Sequence, residues 1–377
     1  MTAPRLDIDL GAIAGNTRIL VDRLAPVGIR VTGVSKALRG LPDVAEAMLR
    51  GGATGLGDSR VENLQRLRAG GVAAPLTLIR SPMLSQVEQA IRMSDTSLNT
   101  EPAVLAALSA AALNHGTTHG VVLMVELGDL REGIAADDVV SAALSVERLP
   151  GLTLAGLGTN LACQSGVVPD QRNMDDLSRL VEAVEAARGR TLSVVSGGNS
   201  ANLAWALSSD DIGRIDELRL GESILLGTEP LHRNPIAGLR TDAFTLVGEV
   251  IEAKTKPARP WGEIAQASFG HQAPRRGGGT IRQAIVALGR QDADPDGLTP
   301  PEGITVLGMS SDHLVVDVGD HDVAVGDELA FGLDYSALVR AATSPFVTVS
   351  PHTAGQTRAS RTGARAENGN SKEIPHH

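Results

Sequence analysis

The chain has 377 residues, is 42% apolar and 21% charged, and carries a formal net charge of −10. This is the composition of a soluble globular protein long enough for two domains, and its acidic balance excludes the basic footprint of a nucleic-acid or anionic-membrane binder. A single cysteine, Cys163, excludes an internal disulfide framework and leads us to expect a cytoplasmic protein; MTAPRLDIDL shows no secretory leader, and no apolar run is long enough for a membrane helix.

From residue 28 to 227 short β-branched or leucine-rich runs recur: IRVTGVSK (29–36), TGLGD (54–58), LTLIR (76–80), TSLNT (96–100), VVLMVELG (121–128), LAGLGTN (154–160), LSVVSGG (192–198) and ELRLGES (217–223). Between most of them lie stretches with apolar residues at helical spacing, such as DVAEAMLRGG, EPAVLAALSAAALNHG and MDDLSRLVEAVEAARG. Eight strands separated by helices predict a parallel (β/α)8 barrel, and the glycine-rich fingerprint of a doubly wound sheet is missing after the first strand. We assign residues 1–232 to this barrel. Beyond it, TLVGEVIEAK, IRQAIVALG, ITVLGMSSDHLVVDVG and VAVGDELAFG predict a C-terminal all-β domain over 233–350. Residues 351–377 are polar, rich in Gly, Ser and Arg, and predict a disordered tail.

The first strand ends in a lysine, Lys36, an unfavourable residue wherever water is excluded. In a (β/α)8 barrel, however, that end of the strand opens on the active site, where loss of hydration favours a neutral, nucleophilic amine able to form a Schiff base. SGGNSAN (196–202) and RLGES (219–223), after the seventh and eighth strands, offer Asn199, Ser200 and the backbone donors of Gly221 and Glu222 to a phosphate. Barrel closure sets both loops beside Lys36.

Over roughly residues 5–350 the chain resembles the two-domain, pyridoxal-phosphate-dependent alanine racemases, and more closely their alanine/ornithine racemase branch. The resemblance runs through LDIDLGAIAGN (6–16), the VSK lysine, ELGDLREG (126–133), GLGTN (156–160), GGNSAN, RLGE, ALGRQD (287–292), GMSSDHLVVDV (308–318), VGDELAF (325–331) and DYSALV (334–339). It implies an amino-acid racemase that binds pyridoxal 5'-phosphate and works as a homodimer, with sites shared between one chain's barrel and the other's β-domain. By the same resemblance Lys36 holds the cofactor and is the base on one face of the substrate. Arg219 faces the pyridine nitrogen, and its permanent charge keeps that nitrogen unprotonated and the ring a weaker electron sink, which suits racemisation. Asn199, Ser200, Gly221, Glu222 and Tyr335, the single tyrosine of the chain, match cofactor-binding positions, and Arg131 matches an arginine near the substrate carboxylate.

The match departs from the family at the acid opposite the lysine. Alanine racemases use a tyrosine from the partner subunit there, whereas the corresponding position here is Arg290, a poor proton shuttle because a guanidinium does not give up its proton in a protein. Asp292, Asp312 and His313 are the nearest titratable groups, His313 having the most suitable ordinary pKa, and Cys163 could also reach the barrel mouth. Carboxylates at Asp292 and Asp312 would favour a substrate with a distal amine, such as ornithine or lysine, over alanine. The family's second tyrosine near the lysine is replaced by Gly40. Two rival expectations remain. One is a metal-assisted D-amino-acid lyase resembling D-threonine aldolase or D-serine dehydratase, although SSDH (310–313) lacks a matching second ligand and no metal is expected. The other is a non-catalytic pyridoxal phosphate homeostasis protein, which would need no β-domain.

Overall fold

The computed structural model describes residues 2–266, 269 and 278–353. The chain opens with β1 (Arg5–Asp9) and the helix Leu10–Leu24, whose first turn is capped by the Asp9 carboxylate accepting from the Gly11 and Ala12 amides at 2.8 and 3.0 Å. Then come the eight strands of a closed parallel barrel, each overlapping one of the runs anticipated from sequence, with β6 and β7 beginning two residues before theirs. They are β2 (Arg30–Val34), β3 (Gly55–Asp58), β4 (Leu76–Leu78), β5 (Thr96–Asn99), β6 (His119–Val125), β7 (Leu152–Thr159), β8 (Val194–Ser196) and β9 (Glu217–Leu220), with β9 closing onto β2.

These strands read as unbroken apolar runs because both of their faces are buried. On β6, Val121, Leu123 and Val125 pack outward into the main core, while Val122 and Met124 point the other way and join Leu98 in a separate cluster lined by Ile79 and Ala155. Among the described residues, no helix is long and apolar enough to cross a membrane.

The second domain is an antiparallel sheet of β10 (Phe244–Pro257), β11 (Thr280–Val286), β12 (Leu298–Thr299), β13 (Thr305–Met309), β14 (Leu314–Asp317) and β15 (Glu328–Leu333), in the order β12-β15-β10-β11-β14-β13. From the first residues of β10 the sheet branches to β1, which pairs antiparallel with β10 and parallel with β16 (Thr348–His352). The first strand of the chain therefore lies in the second sheet, although the sequence grouped it with the barrel. Leu6 and Ile8 are fully buried there, and Arg5 donates to Glu328 of β15 at 2.8 Å. The domain also departs from an all-β reading at Tyr335–Thr343, a helix capped by Asp334 accepting from the Ala337 amide at 2.9 Å. Residues 351 and 352, expected in the tail, end β16, and residues 354–377 lie outside the described residues.

One apolar core runs through both domains, and polar bonds add to it where the barrel passes into the second domain. Asn16, 1% exposed, donates to the Ile224 and Arg240 carbonyls at 3.0 and 2.8 Å and accepts from the Arg240 amide at 2.8 Å. Arg240 in turn donates to Asp9 at 2.8 Å.

A second buried polar group sits between the barrel and its helices. His119 is 1% exposed, with Nε2 at 2.8 Å from Ser97 Oγ. Burial pulls its pKa from the ordinary 6.5 down to about 4. The unfolded chain takes up this proton near pH 6.5 and the folded chain not until about pH 4, so the stability it contributes is complete above the first value and lost as pH falls through that window. Chemical denaturation of the wild type should lose about 3 kcal/mol between those limits through this group. In His119→Asn that part of the slope should vanish.

Candidate active site

A cleft of ≈ 660 Å³ opens at the C-terminal ends of the barrel strands, lined among others by Lys36, Arg131, Asn199, Ser200, Arg219 and Tyr335. Lys36 is exposed at the start of a single 3₁₀ turn, Lys36–Leu38, just past β2. The turn is fixed from beneath by Asp58 at the end of β3. That carboxylate accepts from Ser35 Oγ at 2.8 Å, Asn63 Nδ2 at 2.8 Å and the Arg60 amide at 3.0 Å. Burial still pushes the Asp58 carboxyl above the usual aspartate range, against these donors. Gly40, where the family carries a tyrosine, has φ +64°, and a Cβ there would come within 2.6 Å of the Asn63 carbonyl oxygen. No side chain fits, so the chain leaves the lysine turn without one.

The loops after β8 and β9 meet on Ser200. Gly198, at φ +135°, turns the chain so that Asn199 Oδ1 accepts from the Ala201 amide at 2.8 Å and begins the turn Ser200–Asn202. Ser200 Oγ lies 3.3 Å from both the Gly221 and Ser223 amides and 3.1 Å from Ser223 Oγ. Three hydrogen-bond donors thus converge on one point of the wall. Tyr335 reaches the same cleft from the second domain; burial, aided by the Glu222 carboxylate, pushes its phenol upward.

Arg219 projects from β9 and is 4% exposed, with Nη2 donating to the Thr159 carbonyl at 2.8 Å and Nη1 to Ser196 Oγ. No carboxylate is among these partners, and burial works against its charge. The opposite wall is the loop after β7. Asn199 Nδ2 donates to Asn160 Oδ1 at 3.0 Å and to the Leu161 carbonyl at 2.8 Å, and lies 3.5 Å from Cys163 Sγ. Asp129, 1% exposed, gathers the Cys163, Gln164 and Ser165 amides at 3.1, 2.9 and 3.1 Å. Burial pushes its carboxyl up, but those amides prevail and hold it below the usual range. Among the described residues, two buried atoms of the cleft, Asn160 Nδ2 and Glu222 Oε1, have no hydrogen-bond partner, although Arg233 Nη1 stands 3.6 Å from the second.

Of the residues singled out from sequence, Lys36, Arg131, Cys163, Asn199, Ser200, Arg219, Gly221, Glu222 and Tyr335 all line this one cleft. The other second-domain candidates, Arg290, Asp292, Asp312 and His313, do not line the cleft of their own chain. Asp312 and His313 are exposed, with Asp312 accepting from Gln291 Nε2 at 2.6 Å. Arg290 stacks over the Phe269 ring at 5.0 Å from its centroid and donates to the Met309 carbonyl at 3.3 Å. Asp292, expected to meet substrate, is instead turned inward: 8% exposed, it accepts from the Gly289 amide at 2.9 Å and Ser344 Oγ at 3.0 Å, so both of its oxygens are engaged within the domain. Sequence reasoning missed Arg80, Glu132, Asn160 and Arg233, which also line the cleft. Arg80 carried the same signal as Lys36, a cation closing a barrel strand run; Arg233, in a loop at φ +61°, carried none.

A lysine, a buried arginine and a serine-centred donor cluster on the rim of a closed barrel, with a tyrosine supplied by an antiparallel domain, define the class of two-domain barrel enzymes. Residues 8–230 match the family model for the alanine racemase N-terminal domain, and the chain belongs to the alanine racemase family. Among its relatives, a lysine racemase of Thermotoga maritima is 36% identical over 92% of this chain and 98% of its own. An ornithine racemase of Acetoanaerobium sticklandii is 33% identical over 91% and 98%. A solved alanine racemase of Streptomyces lavendulae superposes with a TM-score of 0.74 at 22% identity, covering 93% of this chain and 98% of that one. At that identity the superposition speaks for the fold alone, as does a D-threonine aldolase from Filomicrobium marinum, with a TM-score of 0.71 at 18% identity over 90% and 88%.

Since Asp129 holds three consecutive amides of the Cys163 loop, Asp129→Ala should lower stability by about 1–3 kcal/mol in chemical denaturation. It should also raise the rate at which Cys163 reacts with a thiol reagent.

Proposed function

We propose that this protein is a cytoplasmic, pyridoxal-phosphate-dependent amino-acid racemase whose preferred substrates carry a basic side chain, ornithine or lysine ahead of alanine. The observation that carries this reading is the presence of Lys36, Arg219 and Ser200 on one cleft. The substrate preference is supported by the two relatives named for lysine and ornithine, and the compartment by the lone free thiol.

The cleft fits the cofactor. Its lining carries Lys36, Arg80, Arg131, Arg219 and Arg233 against the carboxylates of Glu132 and Glu222, an excess of positive charge that suits a phosphate dianion together with one substrate carboxylate. Among the described residues the buried Asn160 Nδ2 has no hydrogen-bond partner, which marks a place where a polar ligand atom is wanted. Ser200 with the Gly221 and Ser223 amides would hold the phosphate, with Tyr335 beside them, and Arg219 would face the ring nitrogen. Pyridoxal phosphate, when bound, supplies an electron sink for the pair released as the Cα–H bond breaks.

The protein's part is to hold and move protons. Lys36 Nζ binds the cofactor, takes the Cα proton from its side of the substrate and returns one there in the reverse direction. Ser35, tied to Asp58, keeps that amine on the rim. Arg219 stays protonated and withholds a proton from the ring nitrogen. We assign delivery of a proton on the opposite face to a group meeting the cleft in a homodimer. Asp312 and His313 are exposed to a second copy, and Cys163 already stands on the wall.

The lyase alternative needs a metal site, and among the described residues no group of three or more His, Cys, Asp or Glu side chains is placed to form one. The homeostasis alternative leaves Tyr335 and the second domain without a task.

Single enantiomers of ornithine, lysine and alanine in deuterated buffer should lose optical rotation and Cα proton signal together, the basic ones fastest. Lys36→Ala should abolish the visible absorbance of bound cofactor and lower Cα exchange by at least about 10²-fold; retention of either property contradicts the assignment. Tyr335→Phe should weaken cofactor affinity about tenfold, read by fluorescence titration of the apoprotein, while its folding is preserved.

A further inference from the structure

We infer that Arg80, rather than Arg131, binds the α-carboxylate of the amino acid; this rests on the racemase reading above. Four arginines line the cleft, and three are engaged. Arg131 makes a two-pronged pair with Glu132. Arg219 is committed to Thr159 and Ser196, and Arg233 lies 3.6 Å from both Glu222 and Asp334. Arg80 is partly buried and, among the described residues, makes no hydrogen bond or ion pair. A guanidinium drawn partly out of water without an anion is unfavourable, and its planar fork matches a carboxylate through two parallel N–H···O bonds.

Its position agrees with its chemistry. Lys36 and Arg80 are registered on the same residue of the intervening strand: Asp58 accepts from Ser35 Oγ through its carboxylate, and from the Ile79 amide through its backbone carbonyl at 2.9 Å. Lys36 follows the first barrel strand and Arg80 the third, so their backbones stand about 10 Å apart across two strand spacings, close enough for both side chains to meet one small molecule. The serine-centred donors follow the seventh and eighth strands, on the other side of Lys36. Going round the rim, the order is phosphate donors, lysine, Arg80. Lys36 would hold the substrate's nitrogen in the middle, with Arg80 toward β4 for its carboxylate and the serine-centred donors on the other side for the cofactor phosphate.

The test compares L-lysine with L-lysinamide, which keeps the side chain and α-amine but lacks the anionic carboxylate. Each is titrated into holoenzyme while the visible spectrum of the bound cofactor is followed to equilibrium. Arg80→Gln should weaken L-lysine binding by about 10- to 100-fold and leave L-lysinamide within about twofold. Arg80→Lys, which keeps the charge but not the fork, should fall between, and it carries the test if the glutamine variant does not fold. Arg131→Gln should show no such selectivity. Equal weakening of both ligands by Arg80→Gln, no change in either, or a carboxylate-selective loss in Arg131→Gln overturns the inference. A wild-type cofactor spectrum that responds to no amino acid overturns the racemase reading itself, and this assignment with it.

Discussion

The hydrogen bonds between β9 and β2 close the barrel, and the whole candidate site depends on that closure. In register, Thr32 lies beside Arg219 and Gly33 beside Leu220, so residues almost two hundred positions apart become neighbours on one rim. The lysine turn follows within a few residues on one strand, and the Gly221–Ser223 donors follow on the other. A parallel pair of this kind has no hairpin to fix it. Its register is imposed by burial on both faces of every strand, where a one-residue slip would turn the apolar side chains of β6 and its neighbours the wrong way.

Within that frame the cleft is built from polar groups that the protein alone does not satisfy. Among the described residues, Arg219 is buried against neutral oxygens, Arg80 has no partner, and Asn160 Nδ2 makes no hydrogen bond. In a folded protein such groups are costly unless a ligand completes them, so their concentration on a single cleft is a stronger indication of function than any one motif. The supporting layer is the opposite. Asp58, Asp129 and Asn16 have their bonds made by named donors and acceptors, and this is what allows the cleft's own groups to stand unpaired.

Much of the barrel was legible in the sequence, because helical and strand periodicities alternate cleanly and cations closing apolar strand runs are conspicuous. Lys36 is legible that way, and Arg80 carries the same mark in LTLIR but has no glycine-rich or other motif beside it. β1 was misplaced for a physical reason: its alternation of buried Leu6 and Ile8 with polar neighbours identifies a half-buried strand, but nothing local names the sheet that receives it. The helix Tyr335–Thr343 was hidden by its surroundings of strands and turns, although Asp334 is a good cap. Asp292 misled because a turn aspartate bonding its own loop looks, in sequence, the same as one waiting for a substrate.

The placement of β1 has a consequence for the architecture as a whole. The two domains are not beads joined by one linker near residue 232: the chain starts in the second, builds the first, and returns. A fragment holding the barrel alone would keep Leu6 and Ile8 but lose both β10 and β16, the strands that cover them. With connections at both ends, the domain bearing Tyr335 is tethered twice to the rim bearing Lys36. Any rotation between them must turn about both crossings at once, the one where β1 runs into the helix Leu10–Leu24 and the one that leads from the barrel into β10.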